Sequence, residues 1–401
     1  MHSSKTPHTP KVITRREVLK AMAVVAGGAA LNHLGRDLVT TEAKGSQPNL
    51  DNEVYIPLVT KYGSLSIGKV VHVNAHNATS WSGQNWYWEH VEQPVVNEMV
   101  KRGVVELTGA ATETDAWREL LPGYQPGKKI AVKVNFNNCW SCSSTSAVID
   151  ALIHPVNAVV SGLEKIGVAR ADVCVFDAVR SLPDRFVNAG LPGITYFDNS
   201  CSNIAGFSDQ SDAYITFNPP PTMSMPAEKV TDVVRNADYL INMPIMKGGH
   251  PLAGVTLGFK NHFGTIHHCS ALHDYVDVVH KPPAYNRDYN PMVDFFNSPH
   301  IGGKTVLTIG DALFAAKDFN DPPETWTTFG DKVPNSLFFA KDPVAVDCVM
   351  HDLIAAELGN SLTPAANRYL ALAGKAGIGV YESVNPWTES YSQISYTRVT
   401  L

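Results

Sequence analysis

The chain has 401 residues, 44% hydrophobic and 17% charged. That composition excludes a disordered chain, a collagen-like fibre and a small disulfide-stapled scaffold, and the length is ample for one large core or two ordinary ones. Residues 1–43 hold six basic and three acidic side chains; the rest carries 26 Lys and Arg against 35 Asp and Glu, a net −9. Phosphate binding needs a basic footprint, so nucleic acid is excluded as the main partner.

The first segment reads as an export signal. Thr14-Arg15-Arg16-Glu17-Val18-Leu19-Lys20 precedes an apolar stretch from Ala21 to Leu31. That stretch is well short of the roughly 20 residues a spanning helix requires. A charged start, a short apolar middle and small residues near a possible cut at Ala43 make a signal peptide of the twin-arginine type, which hands over folded proteins. An Arg-Arg pair on an amphipathic helix and an uncleaved anchor are the alternatives. The expectation is residues 1–43 as signal and 44–401 as a single α/β domain, periplasmic or extracellular, with no stable membrane span in the mature chain. The twin-arginine export machinery is then a partner. Folded export favours an inserted metal or redox group, and the destination permits disulfides.

Short apolar runs then alternate with helical patterns. Predicted strands are Lys69–Val73, Ile130–Val134, Val173–Phe176, Ile194–Phe197, Tyr239–Met243, Thr305–Ile309 and Leu337–Phe339; several are apolar throughout, as strands covered on both faces are. Predicted helices are Pro94–Gly103, Thr114–Leu121, Ala147–Ile166, Ala227–Asn236, Leu252–Phe263, Val344–Leu358 and Pro364–Gly374. The alternation predicts an α/β fold: a mostly parallel or mixed central sheet with helices on both faces. Residues 265–300 form a long His-rich loop excursion.

Ligands of open α/β sheets bind outside the carboxyl ends of the strands. Those predicted ends read Lys133-Val134-Asn135-Phe136-Asn137, Phe176-Asp177, Met243-Pro244-Ile245-Met246-Lys247-Gly248-Gly249-His250 and Gly310-Asp311. Nearer the C-terminus comes Asp342-Pro343-Val344-Ala345-Val346-Asp347, where Asp342 before Pro343 reads as a helix N-cap. Six of the 15 histidines fall between positions 250 and 280: His250, His262, His267, His268, His273 and His280. Proportional spread would put about one there.

Imidazole with carboxylate suits a transition metal (Zn, Fe or Ni), with Asp177, His262, His267, His268, His273 and Asp347 as candidate ligands. On a helix, His273 and Asp277 would share a face. A substrate or acid–base role and ordinary structural histidines stay open beside the metal. Lys247, His250, Lys260 and Asp311 are the candidate catalytic groups, the two lysines holding a small anionic substrate. Lys260 is equally readable as a solvent-facing side chain. Cys139-Trp140-Ser141-Cys142 is a lone Cys-x-x-Cys: a small disulfide loop, a redox pair or half a metal site. The closely spaced cysteines of a ferredoxin-type cluster are missing.

The run Met243-Pro244-Ile245-Met246-Lys247-Gly248-Gly249-His250-Pro251-Leu252-Ala253-Gly254-Val255-Thr256-Leu257-Gly258-Phe259-Lys260-Asn261-His262-Phe263-Gly264 resembles the core signature of the domain of unknown function 362 family. Lys133-Val134-Asn135, Ile309-Gly310-Asp311-Ala312 and Asp342-Pro343-Val344-Ala345-Val346-Asp347 resemble its other blocks, in order, so the resemblance covers about 65–360. It implies no activity. Some members carry iron–sulfur motifs, from which this chain departs. The expected function is a metal-assisted enzyme acting on a small anion; a non-catalytic metal- or solute-binding protein and a redox protein are the alternatives.

Overall fold

Eleven strands among the described residues join one sheet, and the chain builds it from both ends. In this computed structural model residues 68–84 and 86–401 are described; the predicted signal lies outside them. In chain order, β1 (Gly68–Asn74) leads to α1 (Gln93–Thr108) and α2 (Glu113–Leu120). Then come β2 (Ile130–Lys133), α3 (Ile153–Glu164), β3 (Val173–Phe176), α4 (Asp184–Val187), β4 (Thr195–Asp198), β5 (Asn203–Ile204), α5 (Asp232–Asn236) and β6 (Tyr239–Asn242). The central segment follows as β7 (Ile245–His250), β8 (Gly254–Thr256), α6 (Gly258–Asn261), α7 (His273–Val276) and α8 (Pro291–Asn297). Last are β9 (Thr305–Ala316), β10 (Ser336–Ala340), α9 (Pro343–Leu358), α10 (Arg368–Lys375) and β11 (Ile394–Thr400).

The sheet order is β11-β1-β10-β9-β6-β2-β3-β4-β5, with β7 pairing β9 and β8. Neighbours from β9 to β5 are parallel, while β10 runs antiparallel to both β1 and β9. The fold is therefore α/β with a mixed, mostly parallel sheet.

Alternate residues of each strand feed two cores. Val71, Ile130, Val132, Ile241 and Leu307 pack on the face covered by α1, α2 and α3. Val70, Ala131, Leu240, Phe338 and Ala340 pack on the opposite face, against α9 and α10. Period-two side-chain alternation sends successive residues to opposite faces, so an unbroken apolar run suits a strand buried on both.

Several predicted elements differ. Leu252–Phe263 is not a helix: β7 ends at His250, β8 occupies Gly254–Thr256, and only Gly258–Asn261 is helical. Gly249 and Gly254 take positive φ (60° and 80°), turning the chain where an α-helix would need negative φ. The Leu252, Val255, Phe259, Phe263 spacing mimics a helical stripe because this segment is enclosed by core whatever its backbone does. Helix α3 starts at Ile153 rather than Ala147, two residues before Pro155. Strand β9 continues to Ala316, so Asp311 lies inside a strand, opposite Leu337 and Ile245. Asp342 is an N-cap as read, accepting from Val344 N and Ala345 N at 2.9 Å each.

The cysteines also rearrange. Cys142 is bonded to Cys201, joining the loop after β2 to the loop after β4, while Cys139 is free and buried. No bond closes the Cys-x-x-Cys loop, because Cys139 turns into the core beside Phe136 and Cys142 faces outward to the neighbouring loop.

Candidate functional site

Parallel strands β2, β3 and β6 end side by side, which brings Lys133, Asn242 and Asp177, the residue after β3, to one edge. Lys133 is fully buried; its Nζ donates to Asp177 Oδ2 (3.2 Å) and to Asn261 Oδ1 (3.1 Å). Asp177 Oδ2 also accepts from Phe136 N (3.1 Å). Asn261, on α6, donates to Asn242 Oδ1 (2.8 Å) and accepts from Asn135 Nδ2 (3.2 Å). One network thus ties three strand ends to α6. Gly264 closes over it: a Cβ there would lie 2.5 Å from Asp177 Oδ1, so no side chain fits.

Beside this network is a small cavity of about 40 Å³, lined in part by Asn135, Asp177, Arg180, His250, Lys260 and His273. That holds roughly three water-sized groups, the bulk of a carboxylate with one neighbouring atom. The Lys260 amine lies 3.3 Å from the Phe263 ring centroid, and its hydrogen bond goes to His273 Nε2 (3.2 Å). His273 Nδ1 faces Ser270 O at 3.3 Å, which makes Nδ1 the protonated nitrogen and Nε2 an acceptor. His250 Nδ1 accepts from Leu252 N and Ala253 N, so its proton is on Nε2. Arg180 is fixed by Nε to Asn137 O and Nη1 to Val179 O, and its guanidinium stacks 4.1 Å over Trp140.

The electrostatics are lopsided. Lys133, Lys247, Lys260 and Arg180 crowd one region: beyond burial, Arg180 depresses all three ammoniums, Lys133 that of Lys247, and Lys247 that of Lys260. Burial pushes the Lys260 ammonium down to about 7; Cys269 opposes this, and Arg180 and Lys247 add to it. Burial, then Lys260, takes His273 down to about 4. Lys247 is wholly buried, and its Nζ has no hydrogen-bond partner among the described residues. Burial lowers Lys247, opposed by Asp150 and Asp177, and burial raises Asp150, opposed by Lys247; the pair is thereby drawn toward its neutral forms.

Of the residues singled out from sequence, Asp177, His250, Lys260 and His273 line the cavity, with Lys247 behind it. The others lie elsewhere. Asp347 accepts from Gly258 N (2.8 Å), Phe259 N (3.0 Å) and Tyr369 OH (3.1 Å), pinning the start of α6. Asp311 accepts from Leu313 N within β9. His262 is buried edge-on to Phe296 with Nδ1 on Thr265 Oγ1. His267 packs on Phe207, and His268 faces Glu228. His273 and Asp277 share no contact of the predicted kind; Asp277 is bonded to His280. Among the described residues no three His, Cys, Asp or Glu side chains form a group that could hold a metal. Of the six candidate ligands, Asp177 and His273 line the cavity, while Asp347, His262, His267 and His268 make the separate contacts just described.

Arg180, Asn261, Phe263 and Cys269 are among the other lining residues, and none of the four was predicted as a site residue. Arg180 carried a signal: it stands three residues after the strand-end Asp177. Cys269 lay within the histidine cluster.

A family model described as "Domain of unknown function (DUF362)" matches residues 130–352, more than half of the chain and all of the strand-end network. No curated protein is matched.

Proposed function

Since the chain belongs to the DUF362 family, whose description assigns no activity, we propose its function from the site itself: it binds and acts on a small anionic molecule at the carboxyl edge of the sheet. The observation that carries this is that Arg180 and Lys260 both line the cavity, whose one lining carboxylate, Asp177, is already bonded to Lys133. In a site partly shielded from water, the Arg180 guanidinium, and Lys260 while it is protonated, attract an anion more strongly than they would in bulk solvent. Arg180 and Lys260 hold the anion; Lys260 and His273 exchange a proton across their 3.2 Å contact.

The working place we propose is outside the cytoplasm, by the twin-arginine route. The Cys142–Cys201 disulfide supports that, because such bonds persist in oxidising compartments. Replacing Arg15 and Arg16 together by lysine should leave the protein in the cytoplasm; unchanged export would refute this part. For the site, calorimetry with sodium sulfate and sodium pyruvate is the test. Saturable binding is expected in the wild type and about tenfold weaker binding in Arg180→Ala. No saturable binding of either anion would refute the reading.

A further inference from the structure

An ammonium buried without a carboxylate is costly, and proteins relieve the cost by pairing the charge or shedding the proton. Lys260 has no such pair. Its side chain is 7% exposed, it lies on the Phe263 ring, and its hydrogen bond runs to a histidine nitrogen. The groups acting on its charge are Arg180, Lys247 and the Cys269 thiol. Compare Lys133, a few ångströms into the same network, whose ammonium is bonded to Asp177. At Lys133 the Asp177 carboxylate opposes the loss of charge that burial favours, whereas Lys260 has a histidine in that place and opens onto a cavity.

We propose that Lys260 is an imine-forming lysine, and that the cleft takes a small carboxylate bearing an aldehyde or ketone. This rests on the anion-site reading above and names its substrate class. The carboxylate meets the fixed Arg180 guanidinium, and the carbonyl carbon comes against the Lys260 nitrogen. The amine attacks the carbonyl carbon; the nitrogen–carbon bond forms as the carbonyl π pair moves to oxygen. His273 Nε2 accepts a proton from nitrogen and passes it to that oxygen, giving a carbinolamine. The second nitrogen proton follows the same route, the carbon–oxygen bond breaks, and water leaves. Both amine protons end in the water, so no oxidant, reductant or metal is needed. His273 suits this shuttle because its Nδ1 is held by Ser270 O while Nε2 faces the amine. Burial supports the assignment by bringing the ammonium down to about 7.

The test treats the full chain, disulfide intact, with pyruvate and sodium borohydride, followed by intact mass and peptide mapping. The expected result is one reduced pyruvyl group at Lys260, trapped at least about tenfold faster than at the exposed Lys101. Sulfate should protect Lys260, and propanal, which lacks the carboxylate, should be trapped about tenfold more slowly than pyruvate. Lys260→Arg, which keeps the charge, should bind sulfate but give no adduct at that position. If sulfate binds but Lys260 is trapped no faster than Lys101, the imine is overturned and the anion site stands. Equal trapping of propanal and pyruvate overturns the carboxylate requirement. If sulfate neither binds nor protects, both readings fall.

Discussion

Two sets of histidines sit within the same short segment and differ in nearly every physical respect. His250, His262 and His273 point inward. The first two are at most 7% exposed, and His250 and His273 line the cavity with ring nitrogens fixed by backbone partners. His267, His268 and His280 lie outward: His268 and His280 have side chains 64% and 67% exposed and face Glu228 and Asp277. The inward set follows from topology. His250 ends β7, His262 follows α6, and His273 opens α7, each where the chain returns to the carboxyl edge of the sheet. The outward set occupies the stretches between those returns. Backbone partners then give His250 and His273 a definite tautomer. Residue type marked the region, and position relative to the sheet edge decided the chemistry.

That contrast breaks if inner and outer substitutions behave alike. The largest expected effect is at Lys260. Lys260→Met keeps the stem and removes the nitrogen, so it should abolish trapping at this position and weaken sulfate binding about a hundredfold, measured by calorimetry. Next is Asp347→Ala, which strands two backbone N–H groups and the Tyr369 hydroxyl. It should cost about 2–4 kcal/mol of stability in urea unfolding, with sulfate affinity of the folded protein unchanged. The two variants thus separate a residue of the site from one that builds it.

Arg180→Ala comes third, at about tenfold in sulfate affinity and under about 1 kcal/mol in stability, since its guanidinium spends two bonds on neighbouring carbonyls. A pH series gives a smaller, two-signed effect. Lys260 loses its proton as pH rises through about 7, so sulfate, which keeps its charge there, should bind severalfold more weakly at about pH 8 than at about pH 6. Borohydride trapping should run the other way, because the neutral amine is the nucleophile. Parallel pH profiles would assign both measurements to a group other than Lys260.

Much of this was legible from residues alone. Val173–Phe176 is apolar throughout and is a strand with those limits. Asp342-Pro343 announces α9 through a cap and a proline that needs no donor. Asp177, Lys247 and His250 stand out at predicted strand ends and His273 in the crowding of histidines, and Asp177, His250, Lys260 and His273 line one cavity. The β7–β8–α6 segment was not legible, because its apolar spacing reflects enclosure rather than a helical face, and only the glycine φ angles distinguish the two. Cys201 gave no sign of its partner, since a bond across 59 residues depends on two loops meeting in space. Asp347 reads as a ligand and Asp311 as a catalytic group by type, and each accepts from backbone N–H groups, a use that sequence position does not mark.

The smallest expected effect is the one that most directly probes the histidine contrast. His268→Gln and His280→Gln each replace an exposed ring with a polar side chain of similar reach. His268 stands 3.5 Å from Glu228, and His280 stands 3.0 Å from Asp277. Exposed ion pairs contribute roughly 0–1 kcal/mol, and each variant should lose less than about 0.5 kcal/mol in urea unfolding. Neither should alter sulfate affinity or the rate of trapping at Lys260. His273→Gln is the matched inner change: it removes the imidazole that accepts from Lys260, and its amide cannot carry a proton between nitrogen and the departing oxygen. Trapping should slow by about a hundredfold, the usual scale for a lost acid–base group, while sulfate binding persists. Equal losses from the inner and outer histidines would mean that the segment acts as a whole, and that burial at the sheet edge was not what set its members apart.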